Sequence, residues 1–330
     1  MQMMQTIRQY EQGGELVVES VPVPQPGPGE VLIKMIASPI NPSDLALLHG
    51  DYLKRNYPFT PGLEGSGLVI KAGAGLLPRL RIGKRVACSP NPESDGTWAQ
   101  YMKTSALRSI PVPKKISYEQ GATMIVNPMT AMAFLHLAKE GNHHSLVNNA
   151  AASSLGKMLL RLTIHHGIPL INIVRKEQHV VELKKLGAAH VLNSSSTSFE
   201  SELQKLSHDL KATLFLDAVT GEQSGILLRN APPGSRLVVY ARLSSDRMIL
   251  DPGYLVKEEK DMSGFQLNNW LKSKNTLFKL RFVNQVKRHL SGSLSTHVQR
   301  RMPMEEVEQA VLLYKENMSM GKIILNIGES

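Results

Sequence analysis

The chain has 330 residues, 42% apolar and 20% charged, which suits two domains with their own cores and excludes global disorder. Its net charge of +10 is spread along the whole length, and with only 5% aromatic residues there are few platforms on which bases could stack, so nucleic-acid binding is not expected. The single cysteine, Cys88, excludes a disulfide framework and a four-thiolate zinc site; no run of eighteen apolar residues is present and the start MQMMQTIRQYEQGG offers no signal peptide, so a cytoplasmic protein with no membrane partner is expected.

Fourteen of the nineteen prolines fall at or before Pro128, which marks the first third as strand and loop. Pro22, Pro24, Pro26 and Pro28 alternate ahead of a strand over Glu30 to Ala37, and shorter strands follow at Gly67 to Lys71 and Arg85 to Cys88. The glycines at 62, 65, 67, 73, 75 and 83 punctuate these runs, as in a small, tightly turned β-barrel. From about Ile116 the pattern alternates. Helices are expected over Ser117 to Gln120 and Ala131 to Ala138, then a strand at Ser145 to Asn149. A helix at Gly156 to His166 and a strand at Pro169 to Val174 come next, followed by a helix at Glu177 to Leu186 and a strand at His190 to Asn193. The strand Thr213 to Val219, a helix over Glu222 to Asn230 and the strand Arg236 to Tyr240 complete the series. Short strands joined by helices require right-handed crossovers, which build a parallel, doubly wound sheet of the α/β class. The chain returns to helix after Phe265 and ends on a strand at Gly321 to Ile327.

The strand-to-helix turn Asn149 to Gly156, NAAASSLG, puts small residues where a dinucleotide pyrophosphate meets backbone amides at a helix N-terminus. Ala150, Ser153 and Gly156 stand at the three fingerprint positions, with Ser154 and Leu155 between them as further cofactor contacts. A tight connection with no ligand is the competing reading; the flanking strands and the amphipathic helix favour the phosphate site. About twenty residues on, where an NAD site carries an acid for the ribose 2′-hydroxyl, stand Arg175 and Lys176. Their charge suits the 2′-phosphate, so NADPH is the expected cofactor, with two solvated loop cations as the alternative. Tyr240, at the end of the last strand of the series, is grouped with the cofactor residues.

Together with that turn, Asn41 to Tyr52, NPSDLALLHGDY, and Pro61 to Gly67, PGLEGSG, resemble the medium-chain dehydrogenase/reductase superfamily over nearly the whole chain. The zinc alcohol dehydrogenases of that superfamily carry a cysteine ligand in the first segment and Gly-His-Glu in the second. The corresponding positions here are Asn41 and Leu63, so the chain is similar to the zinc-free branch of quinone oxidoreductases and 2-enoyl thioester reductases, and no metal is expected. VNPMTA at 126–131, INIVR at 171–175 and GFQLNNW at 264–270 lean toward the enoyl thioester reductases, while Gln266, Ala241 and Arg242 depart from them. The resemblance implies a GroES-like catalytic domain from residues 1–120 and 263–330, a Rossmann-type NADPH domain over 121–262, and a homodimer paired near Met262 to Phe265.

A reductase of an activated C=C bond must stabilise and protonate the enolate that forms. The resemblance assigns the acid to Tyr52, whose phenol stays protonated at neutral pH. Asn41 is expected either to orient nicotinamide or substrate by its amide or simply to cap the turn before Pro42, and Asn127 and Thr130 to touch the phosphates or nicotinamide ribose. An enoyl thioester is the leading substrate and a quinone the alternative; a non-catalytic NADPH-binding protein is the alternative of another class. The pairs His143 and His144, and His165 and His166, lack a nearby carboxylate or cysteine at ligand spacing and read as surface histidines, and Cys88 reads as a buried small hydrophobe.

Overall fold

The computed structural model describes residues 2–50, 55–244 and 246–328. The chain divides into two compact units, Met1–Pro128 with Ser295–Ser330, and Met129–Leu294.

The first unit opens with an antiparallel pair, β1 (Met3–Gln9) and β2 (Leu16–Pro22), followed by β3 (Glu30–Pro39) and helix α1 (Pro42–His49). After β4 (Gly65–Ala72) come α2 (Leu76–Arg81), β5 (Arg85–Cys88), β6 (Tyr101–Ser105), β7 (Ser109–Pro111) and α3 (Tyr118–Ala122). Val31, Ile33 and Met35 of the ten-residue β3 enter one core with Ile7, Val69, Val86 and Trp98. Leu32, pointing the other way, joins Met4, Val23 and Ala99.

The second unit begins within α4 (Asn127–Glu140) and continues through β8 (Ser145–Asn148), α5 (Ser154–His166), β9 (Leu170–Val174), α6 (Glu177–Lys185), β10 (His190–Asn193) and α7 (Phe199–Asp209). It closes with β11 (Ala212–Asp217), α8 (Glu222–Asn230), β12 (Arg236–Val239), α9 (Gly253–Lys257), β13 (Asp261–Gly264), α10 (Leu267–Lys272) and α11 (Thr276–His289). Its strands pair in parallel in the order β10-β9-β8-β11-β12-β13. Alternate residues serve opposite faces: Leu146, Leu214 and Leu216 pack with Leu159, Leu160 and Leu183, whereas Val147, Ile171 and Phe215 pack with Phe199, Leu203 and Leu227. Helices cover both faces, which is the doubly wound α/β arrangement expected from the alternating pattern.

The chain then returns to the first unit with β14 (Val298–Pro303), α12 (Val307–Glu316) and β15 (Lys322–Asn326). The larger sheet of that unit runs β14-β15-β3-β4-β5-β7, with β6 also paired to β3.

The seams fall at 128/129 and 294/295, where the sequence suggested 120/121 and 262/263. The second difference has a packing cause. β13 extends the parallel sheet, Phe265 meets Phe134 of α4 edge-on at 5.1 Å, and Trp270, Phe278 and Phe282 gather around His136, so residues 265–294 are bound into the second unit. The opening hairpin β1–β2 was not expected either, because its buried positions Met4, Thr6, Ile7 and Gln9 break a strict alternation and two of the four are polar.

Candidate functional site

In the second unit, the connection from β8 to α5 lies where the strand order reverses, between β8 and β11. Open parallel sheets offer a ligand crevice at that point. Ala150 holds φ +49°, a conformation few residues with a side chain adopt, and the Ala151 amide donates to Ile173 O. Ser153 is the N-cap of α5, its hydroxyl accepting from the Gly156 amide at 3.1 Å. In helix geometry the first-turn amides of Ser154 and Leu155 have no carbonyl of their own helix to reach, so they remain as anion donors. A Cβ on Gly156 would stand 2.4 Å from the Ala151 carbonyl oxygen, so glycine is required for the helix to approach the turn this closely.

The floor beside the turn is a satisfied polar network. Asp217, fully buried at the end of β11, accepts from Asn149 Nδ2 at 2.6 Å, from Ser224 Oγ at 2.5 Å and from the Val219 and Thr220 amides at 2.9 Å. Asn149 Oδ1 in turn accepts from the Ala218 amide, which ties the ends of β8 and β11 together. Tyr240 donates its hydroxyl to Asn148 Oδ1 at 3.1 Å and packs edge-on against Phe134; burial raises its pKa well above the usual phenol value. Asn148 Nδ2 is buried with no hydrogen-bond partner. Arg175 and Lys176 follow the end of β9, both exposed and with no ion pair among the described residues. A small-residue turn, free helix-end amides and a basic pair are a donor set that fits a phosphate-bearing dinucleotide.

Asn127 begins α4 and Thr130 follows one turn later, both largely buried; they fall on opposite sides of the seam between the units. Tyr52 lies outside the described residues. The structure leads up to it with α1, which ends at Gly50 in the left-handed region, φ +71°.

In the first unit, Asn41 is fully buried at the start of α1, in a cluster the sequence reading did not assemble. Its Nδ2 donates to Glu64 Oε1 at 3.1 Å, and its Oδ1 accepts from the Lys322 ammonium, which also donates to Ile40 O and Tyr314 Oη. Glu64 Oε2 accepts from the amides of Ile125 and Val126 at 2.8 and 2.9 Å. Asp44 takes the Asn41 amide on one oxygen and the Leu63 amide on the other. Burial dominates the electrostatics. It pushes the Asp44 carboxyl up to about 6, raises Glu64, and lowers Lys322, each partly offset by the opposite charges nearby. The Asn41 amide therefore has protein partners at both ends, and Leu63 contributes its amide rather than an imidazole. Asp44, three residues past the cap position, and Lys322, a lone cation in an apolar strand, were the available sequence signals for this cluster.

Cys88 is buried, its thiol donating to Gly65 O at 3.4 Å, and its pKa is raised by burial, so it is no nucleophile. His143 pairs with Thr213 Oγ1 at 2.8 Å.

A family model described as an alcohol dehydrogenase GroES-like domain matches residues 27–114, and one described as a zinc-binding dehydrogenase matches 154–281. The mitochondrial enoyl-[acyl-carrier-protein] reductase of Rattus norvegicus is 30% identical over 292 residues, covering 86% of this chain and 77% of its own length. A solved structure from Mesorhizobium loti, assigned as an NADPH:quinone reductase, superposes with a TM-score of 0.91 at 30% identity and 98% coverage of both chains. A complex of Etr1p with NADP and crotonyl-CoA shares the fold, with a TM-score of 0.82 at 22% identity over 99% of this chain and 100% of that one.

Proposed function

The chain belongs to the medium-chain dehydrogenase/reductase superfamily, in the branch of enoyl reductases and quinone oxidoreductases, and on that footing we propose that it is an NADPH-dependent reductase of a trans-2-enoyl thioester. The observation that carries the cofactor choice is the β8–α5 turn at the switch point followed, at the end of β9, by Arg175 and Lys176 in place of an acid. In this reading the free amides of Ser154 and Leu155 hold the pyrophosphate, Arg175 and Lys176 hold the 2′-phosphate, and Ala150, Ser153 and Gly156 let the backbone come close enough. Asn127, Thr130 and the Tyr240–Asn148 pair border the rest of the cofactor. When bound, the nicotinamide supplies hydride to the β-carbon of the substrate. Tyr52 donates to the carbonyl oxygen and delivers the proton that the enolate requires. Asn41, its amide spent on Glu64 and Lys322, acts by positioning the start of α1, which leads to Tyr52.

Catalysis in this reading needs no zinc, because Asn41 and Leu63 supply neither thiolate nor imidazole. Activity that vanishes on chelation and returns with zinc would contradict it. The edge strand β13 is the pairing surface of a homodimer, since an edge presents unpaired backbone groups that a two-fold partner satisfies; a monomer in light scattering at micromolar concentration would exclude it. No helix of the described residues is long and apolar enough to cross a membrane. A cytoplasmic location is the reading, and fractionation tests it against the mitochondrial location named for the rat relative.

The deciding experiment is NADPH oxidation with crotonyl-CoA and, separately, with a quinone. Turnover on crotonyl-CoA supports the proposal. Turnover on the quinone alone identifies a quinone reductase, and NADPH binding with turnover on neither identifies a non-catalytic binding protein.

A further inference from the structure

His165 and His166 close α5, and His289 closes α11, a segment far along the chain. The fold of the second unit brings one ring nitrogen from each within 4.8 Å of the others. The rings stand close and steeply inclined, His165 being 5.1 Å from both His166 and His289, centroid to centroid. Among the described residues, no hydrogen bond occupies these imidazoles.

We propose that His165, His166 and His289 form a three-imidazole site for a divalent transition metal, with zinc as the occupant and water at the fourth position. Three nitrogen donors with an open fourth position suit zinc, nickel or copper, and exclude calcium and magnesium, which take oxygen. Zinc–nitrogen bonds of about 2.0 to 2.1 Å put tetrahedral donors roughly 3.3 Å apart, so exposed His165 and His166 need only turn at the surface to close the site. Two helix C-termini meet here, and their carbonyl ends favour a cation. Lys139 and Arg288, close to His166 and His289, oppose a cation and weaken its binding. A cavity of about 70 Å³ beside the cluster, lined by His136, Lys139, His166, Gln285 and His289 among others, gives room for the bound water.

This site is separate from the zinc position of the alcohol dehydrogenases and does not bear on catalysis. Bound metal would fasten the end of α11 to the end of α5. The test is calorimetric titration of the chelator-stripped full chain with zinc chloride, in parallel with His165→Ala and His289→Ala. One equivalent should bind with micromolar affinity, and each variant should lose at least tenfold. Zinc should also raise the thermal midpoint of the parent and leave that of His165→Ala, an exposed substitution that spares the core, unmoved. Absence of saturable binding up to about 100 micromolar zinc, or unchanged affinity in His165→Ala, would overturn the proposal.

Discussion

Lys322 and Glu64 hold opposite ends of a single amide: the ammonium donates to Asn41 Oδ1, and Asn41 Nδ2 donates to Glu64. A cation and a carboxylate, each about 1% exposed, thus compensate one another through a neutral side chain. Because the carboxylate also collects the Ile125 and Val126 amides, the bridge fastens β15 to the start of α1 and to the segment that leads into α4.

Breaking one side of such a pair leaves a buried charge without compensation. Lys322→Met should therefore cost about 3 to 5 kcal/mol. The double variant Lys322→Met/Glu64→Gln should be less destabilised than the sum of the singles, with a coupling of roughly 1 to 3 kcal/mol. Urea unfolding of the four proteins measures this, and additivity would mean that the bridge carries no energy.

Asp44 gives the pH dependence. Its carboxyl, ordinarily near 3.8, is pushed up to about 6 by complete burial, so between those values the folded state binds more protons than the unfolded chain. Its contribution is fully present below about pH 4 and is lost as pH rises through about 6. The stability of the parent minus that of Asp44→Asn should fall by up to roughly 3 kcal/mol over this window, because each pH unit between the unfolded and folded values is worth about 1.4 kcal/mol. A flat difference in denaturation midpoints would show that Asp44 keeps its ordinary pKa.

Gly156→Ala sets a methyl group 2.4 Å from a backbone oxygen, which cannot move without displacing α5 from the turn. The substitution should cost about 1 to 3 kcal/mol of stability, as overpacking does. NADPH affinity should fall at least tenfold, since the free amides move with the helix. Parent-like fluorescence titration with NADPH would show that the turn does not hold the cofactor.

Arg175→Ala tests cofactor choice. The parent should prefer NADPH over NADH, and the substitution should narrow the gap by about 1 to 3 kcal/mol, the scale of a charge-assisted hydrogen bond. Equal affinities in the parent would remove the role given to Arg175.

Tyr52→Phe tests the proton donor. General acid catalysis is worth roughly 10² to 10⁴-fold, so turnover on crotonyl-CoA should drop by that factor while NADPH affinity and folding barely change. A quinone, which can take its proton from water, should lose less. Turnover within about threefold of the parent on both substrates would reduce Tyr52 to packing.

The doubly wound sheet was legible in the sequence because its signals are local: short apolar strand runs alternating with segments of helical period mark each element along the chain. The small-residue turn before α5 and the basic pair after β9 were visible for the same reason, being contiguous segments whose chemistry follows from residue type. What the tertiary structure alone decided depends on residues far apart in the chain. Asn41 reads as a ligand-facing amide until Glu64 and Lys322 arrive at its two ends. The stretch after β13 reads as part of the catalytic domain until Phe265 meets Phe134. His165 and His166 read as an idle surface pair until the end of α11 sets His289 beside them. Sequence spacing constrains neighbours along one element, whereas these contacts are set by which faces the folded core leaves adjacent, and no local pattern encodes that.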